Sequence, residues 1–264
     1  MLRRFSLVML LVLAGIGPVS AGGRNPGPLE LALKTPVDAL PALPVEGPVI
    51  SPPEPPEAAE LLRQGHEAAQ LQGSTIDVPT ALDRFRKAAA LGSFEAANEF
   101  AVLMRMGSAP PEQKAKSIRI TRYLAANGYG AAAYSMGMLG FMGRLGPEDG
   151  PQASKYWFNI ARRAGNADAL KLNAEALARL RTTSVLPPGT GNGDMVETAF
   201  TFTGITTAQE GSAAVDKTIT TLFQGWTQAD ASTVTVHDKT YARHIMADGQ
   251  GRKIAVFFDV TDWR

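Results

Sequence analysis

Between Glu57 and Arg181 small and apolar residues recur every three or four positions, the period of helices with one buried face. Seven helices are predicted in order: Glu57–Gln72, Pro79–Leu91, Phe94–Met106, Glu112–Asn127, Gly130–Met142, Pro151–Ala164 and Ala167–Arg181. Gly92, Gly128 and Gly165 fall where a helix must end on a left-handed residue, which glycine tolerates at little cost. Beyond Arg181 the pattern changes. Residues 182–194 hold Pro187-Pro188 and a glycine-rich run, which predicts a linker. Residues 195–264 alternate Thr, Val and Phe and predict a small α+β domain. Its expected elements are a strand at Glu197–Thr203, an uncertain helix at Gly211–Gly225, and an antiparallel meander of Ser232–His237, Tyr241–Ala247 and Arg252–Val260. Placing Ala247 opposite Arg252 sets Ile245 against Ile254 and Arg243 against Val256.

The helical stretch repeats itself. Ala81, Phe85, Ala88, Gly92, Ala96 and Gly107 set a frame that returns as Ser117, Thr121, Ala125, Gly128, Ala132 and Gly143. It returns again as Ser154, Phe158, Ala161, Gly165 and Ala169, and the three turn glycines stand 36 and 37 residues apart. Small residues at these positions let paired helix axes approach closely. Each hairpin would then bury its apolar face only against its neighbours, as in a short right-handed α-solenoid.

Ala81–Ala96, read as Ala-x-x-x-Phe-x-x-Ala-Ala-x-x-Gly-x-x-x-Ala, resembles the Sel1-like repeat, a relative of the tetratricopeptide repeat. The glycine-bearing connectors Gly73–Ala81 and Gly143–Asp149 and the step Ala132–Gly137 resemble the family too. The likeness spans about Glu57 to Arg181; Thr121 stands where the family has an aromatic, and Gly140 where it often has tyrosine. What the resemblance implies is a mainly α, non-catalytic adaptor with a concave face built from the first helix of each hairpin. Exported bacterial members often serve envelope regulation or cell-wall processes.

The N-terminus agrees with export. Arg3 and Arg4 precede an apolar run from Phe5 to Ile16, and Val19-Ser20-Ala21 offers the small residues of a cleavage site ending at Ala21. A 12-residue run is about 18 Å long as a helix, short for a hydrocarbon core of about 30 Å, so a signal peptide at 1–21 is expected rather than a retained anchor. No stable membrane span is expected after cleavage, and the protein is expected to be periplasmic or secreted. Residues 22–56 contain ten prolines and predict a disordered, extended spacer, or else a ligand for an aromatic groove.

Composition removes several chemistries. There is no cysteine, which excludes disulfides, zinc–thiolate sites and cysteine nucleophiles. Net charge is +1 with the leader, too small for a generic nucleic-acid binder. No G-x-S-x-G, S-x-x-K or H-E-x-x-H pattern occurs. Of the three histidines, His66 fits a packing position, and a turn at Asp238-Lys239 would leave His237 and His244 about 13 Å apart, too far to share a metal. No cofactor and no metal site are expected. Residues 57–181 carry 16 basic and 12 acidic residues, a mild bias toward an acidic partner.

With Ala96, Phe100 and Met104 turned into their hairpin, Asn98, Val102 and Arg105 would face outward. The equivalent stripes are Tyr134, Met138 and Phe141, then Lys171, Glu175 and Ala178. Asn98, Arg105, Tyr134, Met138, Lys171 and Glu175 are therefore the candidate partner-binding residues; Tyr134, Met138 and Phe141 would fit a core equally well. The expected function is a scaffold for another envelope protein or peptide. The alternatives are a glycan or peptidoglycan binder, or an enzyme with polar groups converging near Arg243, His244 or Asp259.

Overall fold

The computed structural model describes residues 25–70, 77–146, 149–150 and 152–264. The leader, Ala21 and the turn at Gly73 lie outside them. The protein is mainly helical, with a small antiparallel sheet near the C-terminus. Among the described residues the helices are α1 (Pro28–Lys34), α2 (Ala59–Ala69), α3 (Val78–Ala90), α4 (Phe94–Arg105), α5 (Pro111–Ala126), α6 (Gly130–Phe141), α7 (Ala153–Arg163), α8 (Ala167–Thr182) and α9 (Ala208–Leu222). From α2 to α8 each helix packs on the next.

The α3–α4, α5–α6 and α7–α8 turns share one geometry. Gly92, Gly128 and Gly165 have φ of +105°, +86° and +75°. In each turn the following amide reaches back to the carbonyl five residues earlier: Ser93 to Ala88, Tyr129 to Leu124, Asn166 to Ala161. Ala81, Phe85, Ala88, Ala96, Ala132, Ala161 and Ala169 are buried between the helices and Phe158 is half-buried. Close approach is visible at Gly65 and Gly137, where an added Cβ would stand 2.5 Å from the Phe85 ring and 2.6 Å from the Phe158 ring.

The expectation of a disordered spacer at 22–56 is corrected from residue 25 onward, because this segment is a docked strap. Its α1 packs on α3 and α5, with Pro28 and Ala32 buried, and Gly27 passes so close that a Cβ there would stand 2.4 Å from the Ala89 carbonyl oxygen. The strap then returns along the three turns. Val49 donates its amide to Arg163 O at 3.1 Å. The Ser51 hydroxyl donates to Gly128 O at 3.0 Å and accepts from Gly130 N at 3.4 Å. Glu54 accepts the Glu95 amide at 2.8 Å. Ser93 and Asn166 cap their helices with their own side chains, whereas Tyr129 cannot, and Ser51 serves in its place. Proline suits such a strap because an extended chain docked by its carbonyls and side chains needs few backbone donors.

Residues 182–194 are also no free linker. Short strands β1 (Gly189–Thr190) and β2 (Thr201–Phe202) pair, and Gly193 O accepts the Phe257 amide. The three-stranded sheet runs β3 (Thr227–Val236), β4 (Lys239–Ala247) and β5 (Lys253–Asp259) in that order. Its register differs by one residue from expectation: Ala247 faces Lys253, Ile245 faces Ala255, and Arg243 faces Phe257. The cause is the turn. Asp248 accepts the amides of Gln250 and Arg252 and donates its own to Arg252 O, so the hairpin loop is five residues long. The β3–β4 turn is likewise His237-Asp238, both with positive φ, rather than Asp238-Lys239. One sheet face, with Met246, Ile254, Val256 and Phe258, shares a core with Val215 of α9 and with Leu177 of α8. The other face, with Tyr241, Ile245, Ala255 and Phe257, forms a second cluster with Ala199 and with Val45 of the strap.

Buried charges join the two parts. Arg122 meets Asp149 at 2.5 Å, and Arg252 donates to Asp149 O at 2.5 Å and to Asp248 at 2.7 Å. Asp194 binds Asn159 at 2.6 Å and Arg162. Beside them Lys155 stands over the Phe223 ring at 4.7 Å. Burial, with Arg162 adding and Asp194 opposing, pulls its ammonium down to about 8.

Two outcomes are expected. Gly165→Ala should cost about 1–2 kcal/mol for its left-handed φ alone, having open space around it. Gly128→Ala should cost more, since its Cβ would also meet Ile50 O at 2.8 Å; equal losses in urea denaturation would mean the strap is not seated there. For Lys155 the unfolded chain holds the proton between pH 8 and 10.5 and the folded protein does not, so stability should rise with pH across that window. Lys155→Met should remove this rise and raise stability at pH 7, as melting curves over pH 7–10.5 can check.

Candidate functional site

The site begins with an irregularity in the helical packing. Phe85 of α3 rests on Gly65 and Phe158 of α7 on Gly137, but the corresponding pair in between is Thr121 of α5 and Ala101 of α4. Thr121 is fully buried and has no ring to extend. Beside it stands the Arg105 guanidinium, donating to Thr121 Oγ1 at 3.1 Å and to Ser117 Oγ at 3.3 Å. Ser117 in turn donates to Ala101 O at 2.6 Å. Burial lowers the pKa of Arg105, opposed by Glu99, whose own carboxyl is raised by burial with His66 opposing.

Arg105 forms one wall of a groove of about 700 Å³ between α4, α5 and α6. Val102 and Met106 continue that wall; Lys114 and Ile118 come from α5; Tyr134, Ser135, Met138 and Leu139 come from α6; Met142 and Arg144 close the far end. Met106 and Met142 are 53% and 46% exposed, and Phe141 beside them is 77% exposed. Three cations and three methionines thus share one concavity, and among the described residues no carboxylate lines it.

The structure brings Arg105, Tyr134 and Met138 together in this groove, but not the other candidates. Asn98 is only 4% exposed, so its assignment to an outer face is corrected. The reason is that α4 has neighbours on several sides, α2, α3, α5 and α6, and a helix so enclosed shows little free surface. Lys171 and Glu175 lie exposed on α8, 4.0 Å from one another, and do not line the groove. Met106, Lys114, Ile118, Met142 and Arg144 escape the stripe argument because they come from helix ends, α5 and the segment after α6, and Ser135 because it stands one position off the stripe on α6. The run of methionines at 104, 106, 136, 138 and 142 was the available signal.

The polar groups of the sheet are each engaged locally. Arg243 reaches Glu46 of the strap at 2.8 Å and Asp230 at 3.4 Å. His244 Nδ1 meets Gln228 at 2.7 Å with its ring against Phe258, and burial lowers its pKa, opposed by Asp216. Asp259 pairs with Lys239 at 3.0 Å. His66 Nε2 meets Glu95 at 3.2 Å, edge-on to Phe85. Among the described residues no three His, Asp or Glu side chains could hold one metal, and no helix is long and apolar enough to cross a membrane. Comparison with protein-family models, curated proteins and solved structures returned no match.

Arg105→Ala should cost about 1.5–3 kcal/mol, the worth of a hydrogen bond involving a charged group. The loss should shrink as pH falls from 7 to 5, because Glu99, whose carboxyl burial already raises, gains its proton more readily once it has lost its cation. Urea denaturation at both pH values tests this; a loss no smaller at pH 5 would show that the two groups do not share a field.

Proposed function

We propose that α2 to α8 form a short right-handed solenoid of the Sel1-like repeat kind, and that the protein is a non-catalytic binding scaffold of the bacterial cell envelope, carried there by the leader at 1–21. The observation that carries this reading is the groove between α4, α5 and α6. It offers flexible apolar side chains and hydrogen-bonding cations on helix surfaces, the chemistry of protein recognition rather than of bond breaking. The partner is then another envelope protein or a peptide segment of one, held so that a sensor, secretion component or wall enzyme is kept in place.

The competing readings have less behind them. A glycan site in the groove wants an open aromatic face, whereas Tyr134, the aromatic that lines it, packs its ring on Phe158 with centroids 5.7 Å apart, and exposed Phe141 lies outside the lining. An enzyme in the C-terminal part needs converging groups, whereas Arg243, His244 and Asp259 each spend their contacts on separate neighbours.

A photo-crosslinking amino acid placed at Met142 in living cells is expected to trap one envelope protein, while the same group at exposed Lys217 on α9 traps none. Equal adducts from both positions would remove the groove from the argument. Absence of any adduct, together with retention of purified protein on wall material, would favour the glycan binder.

A further inference from the structure

We infer that the groove between α4, α5 and α6 takes an acidic amphipathic segment of a partner protein, apolar on the side it buries and carrying carboxylates on its flanks. This rests on the scaffold reading and adds the chemistry of the occupant. Charge is the first reason. Arg105, Lys114 and Arg144 line the concavity, and none has an ion-pair partner among the described residues. Lys116, two positions along the same helix, is by contrast paired with Glu112 at 2.8 Å. Three cations lining one concavity, with Glu99 acting on Arg105 from outside it, favour an anionic ligand and disfavour a cationic one.

Shape and apolar content are the second reason. Met106, Met138 and Met142 are unbranched and polarizable, and they adapt to apolar side chains of varied shape. A plain polyanion would leave them without a role.

The third reason is continuity with a contact the chain already makes. Lys114, Ile118 and Arg144 also line a second hollow of about 470 Å³ on the other side of the same α5 ridge, and Val37 of the strap forms part of its wall. Just before Val37, α1 lies against α3 and α5 with Pro28 and Ala32 inward, while Glu30 faces solvent and pairs with Lys34. One flank of α5 thus already holds a short helix that buries its apolar side and exposes a carboxylate. The groove is the adjoining flank, with three cations in its lining and no occupant from the described residues.

The test is selection of displayed random twelve-residue peptides on the full-length protein. Parallel selections use Met106→Ser with Met142→Ser, and Lys114→Glu with Arg144→Glu. All four positions are exposed, and unchanged far-ultraviolet circular dichroism confirms folding. Peptides enriched on the parent should combine Leu, Met or Phe with an excess of Asp and Glu, bind roughly tenfold more weakly to either variant, and weaken as salt rises. The charge-reversed variant should instead enrich Lys and Arg. Groove-dependent peptides with no excess of acid would overturn this inference and leave the scaffold reading standing. No groove-dependent enrichment would overturn both. If polyphosphate displaces the peptides and binds the methionine variant as tightly as the parent, the ligand is a simple polyanion and the inference fails.

Discussion

One buried guanidinium holds the architecture together. Arg163 ends α7, is 3% exposed, and pairs with no carboxylate among the described residues; it donates to Gly47 O at 2.7 Å, Pro44 O at 2.8 Å and Asn159 Oδ1 at 3.4 Å. Its own carbonyl accepts the Val49 amide. Burying such a charge is costly unless its donors find acceptors, and here the two shortest bonds go to carbonyls of the strap. Burial accordingly lowers its pKa, with Asp194, Tyr156 and Glu46 opposing. From this anchor the strap runs one way across the turns at Gly128 and Gly92. In the other direction it reaches the sheet, where Val45 O accepts the Ala255 amide and Glu46 meets Arg243. The outer edge of β5, which would otherwise present free amides, is closed by Val45, Gly193 and Phe200.

The groove has a related origin. Where a phenylalanine packs on a glycine the helices meet closely and leave no entry. Where Thr121 and Ala101 replace that pair, hydroxyls and a guanidinium fill the interior, and a concavity opens beside them. A departure from regular packing and the best candidate surface coincide, which is the pattern expected when local rules yield to function.

Much of the helical half was legible because its signals are local. A left-handed turn needs glycine, a close helix pair needs small residues, and these requirements recur at near-constant spacing. Arg105, Tyr134 and Met138 could be picked out by helical phase, while Asn98 could not be excluded, since phase on one helix says nothing about how many neighbours enclose it. The strap was misjudged for the same reason. Its proline content does forbid regular ladders, but an extended chain can still dock through side chains and carbonyls onto a surface assembled from residues more than a hundred positions away.

The sheet shows where local information ends. Ile254 to Phe258 is apolar on both faces, so alternation could not choose between two registers one residue apart, and the Asp248 turn chose between them. From the sequence by itself came the order of α2 to α8, their approximate ends and the spacing of their turns, all governed by interactions a few residues long. The tertiary structure alone decided the docked strap, the sheet register and the cluster of cations and methionines in one groove. Those depend on groups distant along the chain meeting in space, and no short-range pattern encodes such a meeting.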